Sequence, residues 1–122
     1  MSKKLTSLIY IASPFSSKLI YPLNKIHEYI RYRRVTKMIG KLQDTFPYAF
    51  IGPITQSYHT KKFSKSKCGQ FKSWEIVDLT FISKCDELWV IEMDGWEEST
   101  GVQAEIKFAK KRKIPVSYID FK

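Results

Sequence analysis

Short apolar runs alternate along the chain with longer segments in which apolar residues recur every three to five positions. The runs at residues 8–12, 48–51, 87–93 and 116–119 are rich in β-branched and aromatic residues. Short continuous runs of this kind are typical of buried strands in a parallel sheet. The pattern therefore predicts four strands, the first with the sequence LIYIA.

The segments between these runs predict helices and one long loop. Asn24 can cap a helix that extends to Leu42, with basic residues mostly on the face opposite the apolar one. Its apolar positions are Ile26, Tyr29, Ile30, Val35, Met38, Ile39 and Leu42. Residues 71–84 and 101–113 predict two further helices. Residues 55–70 have no apolar period, and we expect a loop there that carries Lys61, Lys62, Lys65 and Lys67.

Alternation of strands and helices predicts an α/β fold. We expect a small Rossmann-like, flavodoxin-like three-layer sandwich, with a mainly parallel sheet of four or five strands and helices on both faces. The 122 residues suffice for one domain, residues 1–122, and 43% of them are hydrophobic, which is ordinary for a globular protein. No apolar run approaches the roughly 20 residues that a membrane span needs. We therefore expect a soluble cytoplasmic protein without a membrane partner.

The positive charge lies in the first part of the chain. The net charge is +9, and residues 1–72 carry fourteen Lys or Arg against Glu28 and Asp44. Charge of this kind suggests an anionic partner: a nucleotide phosphate, a nucleic acid or a membrane surface, although on charge alone a solvated lysine-rich surface ranks above any specific partner. Two cysteines, Cys68 and Cys85, have no metal-ligand spacing, and the histidines His27 and His59 are far apart. We expect no zinc, no disulfide and no cofactor.

Ligands of such sheets bind at the carboxyl ends of the strands, which here precede residues 12–15, 52–57 and 94–99. The last of these loops leads through Ser99 into a helix start, where free N–H groups favour anions. Glu105 follows about one turn later, and it is either a dipole partner or a catalytic acid. Asp78 interrupts an apolar run, so it is either exposed or buried for a purpose. Two carboxylates in one pocket would suit glycosidic chemistry.

Four segments carry a resemblance to a known superfamily. They are YIASP at residues 10–14, W-x(3)-D at 74–78, CDEL at 85–88 and GW-x(2)-S-x-GVQAEI at 95–106. Together they resemble the nucleoside 2-deoxyribosyltransferase-like superfamily, and most closely a phage and bacterial branch of it. Members of that superfamily move 2-deoxyribose between bases or release the base from nucleoside 5′-monophosphates. The resemblance spans most of the chain, but residues 16–70 carry little of it.

The resemblance implies roles for individual residues. Glu105 resembles the nucleophile, Asp78 the aspartate that works at the leaving base, and Tyr10 the tyrosine that hydrogen-bonds the nucleophile. Ser99 resembles the serine found where the hydrolases bind phosphate, and a hydroxyl suits a phosphate dianion better than a carboxylate would. The residues expected to bind substrate are Ser13, Pro14, Phe15, Ser57, Trp74, Gly95, Trp96, Ser99 and Gly101.

The chain departs from that pattern near the expected phosphate site. Glu97 and Glu98 add negative charge beside Ser99, and residues 13–15 replace a glycine- and arginine-rich loop. Phosphate binding would then need the basic part of the chain, with Arg31, Arg33, Arg34 and the lysines of 61–67 as candidates. Trp74 and Trp96 could stack on a base, although packing is the more common role of tryptophan.

The expected function is hydrolysis of the base–sugar bond of (deoxy)nucleoside 5′-monophosphates through a covalent glycosyl-Glu105 intermediate. The alternatives are deoxyribosyl transfer between bases, NAD glycohydrolase activity, and a non-catalytic protein that binds or sequesters nucleotides. A nucleic-acid-binding module that uses the basic part of the chain ranks below these. We expect a small-molecule nucleotide or nucleoside as partner, a homodimer or higher homo-oligomer, and a place in the cytoplasm of a bacterial or phage-infected cell.

Overall fold

The computed structural model describes residues 5–60, 63–64 and 71–121. Within them the chain runs through eight elements, in which each strand is followed by one or two helices until the last strand. These elements are β1 (Leu8–Ala12), α1 (Leu23–Thr45), β2 (Ala49–Ile51), α2 (Pro53–Thr60), α3 (Phe71–Ser83), β3 (Glu87–Glu92), α4 (Thr100–Lys111) and β4 (Val116–Asp120). The four predicted strands and three predicted helices are therefore confirmed, with bounds that differ by at most three residues.

The four strands form one sheet in the order β2-β1-β3-β4, and every pair is parallel. Tyr10 of the central strand β1 is opposite Ile51 of β2 and Leu88 of β3. The carboxyl ends of all four strands therefore meet at one edge of the sheet. This architecture confirms the predicted α/β Rossmann-like fold.

The side chains of β1 alternate between two apolar cores. Tyr10 and Ala12 belong to a core that also contains Val102 and Ile106 of α4. Ile9 and Ile11 belong to the opposite core, in which Val35 and Leu42 of α1 are buried. Successive residues of a strand point to opposite faces, so the continuous apolar run of β1 supplies both layers of helices. Tyr10 is thereby directed toward α4.

Two predictions about the basic first part of the chain, residues 1–72, are wrong. Asn24 does not cap α1, because the helix already begins at Leu23 and Pro22 precedes it without a side-chain cap. The Ile20 carbonyl accepts from the first N–H groups instead. Residues 53–60 form α2 where we expected a loop, and Pro53 occupies the first helical position, which suits its fixed φ. The loop prediction for Lys61, Lys62, Lys65 and Lys67 lies outside the described residues.

Among the helices within the described ranges, none combines the length and the apolar character needed to cross a bilayer.

Candidate active site

A tyrosine and a glutamate meet beneath the carboxyl edge of the sheet. Tyr10 of β1 is fully buried, and its hydroxyl donates to Glu105 Oε2 at 2.5 Å. Glu105 is 5% exposed although it is an acid. It lies on the inward face of α4, between the buried Val102 and Ile106. The apolar spacing of α4 therefore places a carboxyl group inside the core, where the tyrosine is its hydrogen-bond donor.

The environment of this pair raises the pKa of both side chains. Burial raises the pKa of Glu105 to about 8, and Asp78 raises it as well, while the hydrogen bond from Tyr10 lowers it. Burial, with the nearby Glu105 and Asp78, raises the pKa of Tyr10 well above its usual value. Tyr10 consequently keeps its proton near neutral pH and remains a donor to Glu105.

A second carboxyl group reaches the same site from α3. Asp78 is largely buried, and this burial raises its pKa to about 7. Asp78 lines the same cavity as Glu105, and it raises the pKa of both Glu105 and Tyr10. Two acids whose protons are lost near neutral pH have the properties required of a nucleophile and an acid–base catalyst. The site can therefore perform nucleophilic and proton-transfer chemistry.

Both acids line a cavity of about 190 Å³ at the carboxyl edge of the sheet. Its walls come from the end of β1 and the loop that follows, from α2, from α3, and from the start of α4 with the preceding loop. The lining residues are Ile11, Ser13, Phe15, Ser16, Ser17, Lys18, Pro53, Ile54, Ser57, Trp74, Asp78, Glu98, Ser99, Thr100, Gly101, Val102 and Glu105. Eight of the sequence-predicted site residues thus share this cavity, and Tyr10 contacts it through Glu105.

The lining of the cavity contains several hydrogen-bond donors. Ser99 caps α4, and its Oγ accepts from the Val102 N–H at 3.2 Å, so its own proton remains available for a ligand. Ser13 is 6% exposed, and within the described part of the chain its Oγ has no hydrogen-bond partner. Lys18 adds a cation to the same lining. Hydroxyl groups, a cation and a helix start together suit an anionic group.

Three predicted substrate-binding residues lie outside this cavity. Pro14 is fully buried. Trp96 packs against the core near α4, with its ring 5.5 Å from that of Tyr118. Gly95 has a φ of +91° and lies against Arg31, with the guanidinium so near that a Cβ on Gly95 would be 2.6 Å from Nη2. Of the two tryptophans considered for base stacking, only Trp74 lines the cavity.

Arg31 of α1 connects two loops of the site. Its Nη1 donates to the Ser16 carbonyl at 2.8 Å, and its Nη2 donates to the Asp94 carbonyl at 3.0 Å. The loop after β1 is therefore tied to the loop after β3. Sequence reasoning offered Arg31 only as a phosphate ligand, but these donors are directed at backbone carbonyls. The conformation of Gly95, which leaves room for the guanidinium, has no signal in the sequence other than the glycine itself.

Two other basic candidates for a phosphate, Arg33 and Arg34, lie elsewhere, and the lysines of 61–67 fall outside the described residues. Arg33 and Arg34 are exposed on α1 and do not line the cavity. The described residues contain no group of three or more His, Cys, Asp or Glu side chains placed to hold a metal ion. Among the described residues, Lys18 is the basic residue in the cavity lining, and the sequence did not single it out.

Fold and site together define a parallel α/β protein with a buried carboxyl–tyrosine pair and a second carboxyl group at the carboxyl edge of its sheet. The chain belongs to the family described as a domain of unknown function, DUF1937, whose profile matches residues 7–120. Among curated proteins, no sequence matches the chain.

Proposed function

We propose that the protein is an N-glycosidase that cleaves the base–sugar bond of (deoxy)nucleoside 5′-monophosphates through a glycosyl ester of Glu105. One observation carries this proposal: Glu105 is buried beneath the cavity, held by Tyr10, with Asp78 in the same lining. A buried acid that has a fixed donor and an opening to a cavity is suited to attack a sugar carbon. The superfamily resemblance assigns the same three residues to the same chemistry.

In the first step, the Glu105 carboxylate attacks C1′ of the sugar. The bond between C1′ and the base nitrogen breaks, its electron pair leaves with the base, and Asp78 donates a proton to that base. The second step reverses these roles. Water attacks C1′, the Asp78 carboxylate takes a proton from the water, and Glu105 leaves as a carboxylate. The products are the free base and the sugar phosphate, and the enzyme regains its starting protonation.

The proton inventory of the site supports this sequence of steps. The reaction requires one proton on the pair of acids. Asp78 must carry this proton when the base leaves, and Glu105 must be ionised when it attacks C1′. With the pKa raised to about 8 for Glu105 and about 7 for Asp78, the pair carries a single proton mainly between these two pH values. Glu105 has the higher pKa and holds that proton most of the time, so the reactive arrangement, with the proton on Asp78, is the minor form of the pair. The oxocarbenium-like transition state carries positive charge, which stabilises the Glu105 anion next to it.

The hydrogen-bond donors of the cavity lining support a phosphorylated substrate. The lining contains the hydroxyl groups of Ser13 and Ser99, the start of α4 and the ammonium group of Lys18. A 5′-phosphate would accept from hydroxyl and N–H groups and would pair with the lysine. Glu98 belongs to the same lining and opposes an anion, but it is exposed, as Lys18 is, so solvent screens both charges. This part of the proposal also includes a cytoplasmic location, where nucleoside monophosphates are available.

The decisive experiment is incubation with a panel of nucleosides, nucleoside monophosphates and NAD, followed by chromatography for released base. We expect base release from monophosphates by the wild type and by Glu98→Gln, and none by Glu105→Gln, which keeps the shape but cannot form the ester. Release of nicotinamide alone would replace the proposal with NAD glycohydrolase activity. Appearance of a new nucleoside on addition of a second base would indicate transfer. Tight nucleotide binding without turnover in the wild type would indicate a sequestering protein.

A further inference from the structure

A second cavity, of about 340 Å³, lies between α1 and the residue that follows β4. Its lining consists of Arg34, Lys37, Met38, Lys41 and Phe121, and these described residues all differ from those that line the candidate active site. Among them, three are cationic and none is acidic. The volume is within the range of cavities that bind small molecules. We call this cavity the basic cavity.

The three cations of the basic cavity are neighbours on one side of α1. Arg34 is three residues before Lys37, and Lys37 is four residues before Lys41, so they occupy successive turns of the helix. All three are exposed, and Asp44 of the same helix is not part of the lining. Like charges at these spacings destabilise a helix. An anion bound among them would relieve this repulsion and would accept charge-assisted hydrogen bonds.

The acids near the end of β4 belong to the opposite face of the sheet. Asp120 is opposite Glu92 of β3 and shares a hydrogen bond with it. Tyr118, two residues before Asp120, contacts Trp96 in the core on the α4 side, whereas Phe121 packs against the core on the α1 side. Because successive strand residues point to opposite faces, Asp120 is directed away from the basic cavity. These acids therefore leave the charge of the cavity unbalanced.

The two remaining lining residues are apolar. Met38 and Phe121 are partly buried and pack against the core that contains Val35 and Ile91. The ring of Phe121 offers a surface for a flat aromatic group, and the thioether of Met38 makes favourable contacts with such rings. An inorganic phosphate would use the cations alone. A ligand that combines an aromatic ring with negative charge would use the whole lining.

We propose that the basic cavity binds an aromatic ligand with several phosphate groups, in the class of nucleoside di- and triphosphates. The phosphates accept from Arg34, Lys37 and Lys41, and the ring packs on Met38 and Phe121. A single phosphate ester carries a charge of about −1.5 to −2, which is too little to pair with three cations. The cations span about 10 Å along the helix, so a chain of phosphates can contact them together. The proposal does not depend on the glycosidase reaction.

Calorimetric titration with ATP as the probe tests the site. We expect the wild type to bind ATP with a Kd below about 1 mM, and Lys37→Gln with Lys41→Gln to raise this Kd at least about tenfold. Lys107→Gln with Lys110→Gln is the matched control, because it removes the same charge from exposed positions on α4. Absence of ATP binding to the wild type, or equal effects of the two double variants, overturns the proposal.

Further titrations separate the basic cavity from other sites and ligands. Phe121→Ala should weaken the binding of ATP but not that of inorganic tripolyphosphate, and an unchanged affinity for ATP would contradict the aromatic contact. Ser99→Asp alters the candidate active site and should leave the Kd for ATP unchanged, so a loss there would overturn the second site. An oligothymidine that binds through Lys37 and Lys41 more tightly than ATP, with affinity that falls steeply between about 50 and 200 mM salt, would indicate nucleic acid instead and also overturn the proposal.

Lysine acetylation followed by mass spectrometry provides a test that needs no substitution. ATP should protect Lys37 and Lys41 from acetylation, while Lys107 and Lys110 stay reactive. Equal protection of all four lysines would indicate diffuse attraction of ATP to a basic protein and would overturn the proposal. None of these readouts depends on glycosidase activity.

Discussion

At the scale of single residues, the ionisation of Glu105 depends on two neighbours: Tyr10, which donates a hydrogen bond to it, and Asp78, whose charge opposes it. The bond favours the ionised form of Glu105, while burial and Asp78 oppose it. The two acids therefore lose their protons as a pair, in two steps near neutral pH. Only the pair that carries one proton can both attack and donate. The rate should therefore fall at low pH, where both acids are protonated, and at high pH, where neither acid is.

This coupling predicts a bell-shaped dependence of kcat/KM on pH, with limbs near pH 7 and pH 8. Tyr10→Phe removes the donor that lowers the pKa of Glu105, so the alkaline limb should move to higher pH. The maximal kcat/KM should fall about tenfold, since less of the pair carries its proton on Asp78. Base release measured from pH 5 to pH 10 checks both effects. An unshifted alkaline limb in Tyr10→Phe would show that the tyrosine does not act through Glu105.

The contact between Arg31 and Gly95 predicts an effect on stability. Gly95→Ala would put a Cβ 2.6 Å from the Arg31 Nη2 and would force a side chain into a φ of +91°. We expect a loss of about 1–3 kcal/mol in the free energy of unfolding, measured by urea denaturation. Gly40→Ala is the control, because its Cβ meets nothing within 4 Å and lies inside α1, where alanine stabilises by about 0.5–1 kcal/mol. Equal effects of the two substitutions would contradict the tight approach.

Some site residues are predictable from the sequence and others are not. The difference depends on whether a residue is marked by its local sequence pattern or only by contacts with distant parts of the chain. Asp78 is predictable as a candidate because an acid within an apolar run is conspicuous. Glu105 is a candidate through its place near a helix start, and the superfamily motif adds the role of nucleophile. Tyr10 was recognisable only through the superfamily motif. Arg31 could not be placed, because its partners are backbone carbonyls, and any residue type supplies those. The omission of Lys18 has a similar cause, since only the path of the loop after β1 brings it to the cavity.

At the scale of elements, the strands were predictable because they are buried on both faces and therefore read as apolar runs. The helix α2 was missed because residues 53–60 are mostly polar or β-branched and have no clear apolar period. Pro53 at the first helical position was the available signal. The sequence misplaces the start of α1, because Asn24 is a typical cap residue. In the structure, backbone carbonyls accept from the first N–H groups of the helix instead. Caps made by the backbone leave no trace in the sequence.

The start of α4 carries the prediction about the phosphate. Asp caps a helix as well as Ser does, so Ser99→Asp should preserve α4 while setting a carboxylate against a phosphate dianion. The ratio of kcat/KM for a deoxynucleoside monophosphate to that for its nucleoside should fall by roughly 10- to 100-fold. Ser99→Asn keeps the cap and the shape without the charge, and it should change the ratio far less. The monophosphate assignment fails if the wild type already prefers the nucleoside, or if Asp leaves the ratio unchanged.

At the scale of the whole molecule, the two acids of the site oppose folding at high pH. In the unfolded chain, Glu105 and Asp78 lose their protons near their ordinary pKa values of 4.5 and 3.8, whereas in the folded protein they keep them to about pH 8 and about pH 7. Between these limits the folded state binds more protons than the unfolded state. The free energy of unfolding must therefore decrease as pH rises from about 4 to about 8. The site is maintained at a cost in stability that the two apolar cores offset.

Removal of one acid should reveal this cost. Glu105→Gln cannot ionise and can still accept from Tyr10, so it should unfold at higher urea concentration than the wild type at pH 8, by an amount on the order of 3–5 kcal/mol. At pH 4 the advantage should largely disappear, because Glu105 is then mostly protonated in both states of the wild type. The exposed Glu98→Gln should follow the wild-type pH dependence throughout. If Glu105→Gln and the wild type lose stability in parallel from pH 4 to pH 8, Glu105 is ionised in the folded protein and the proton inventory proposed for the reaction is wrong.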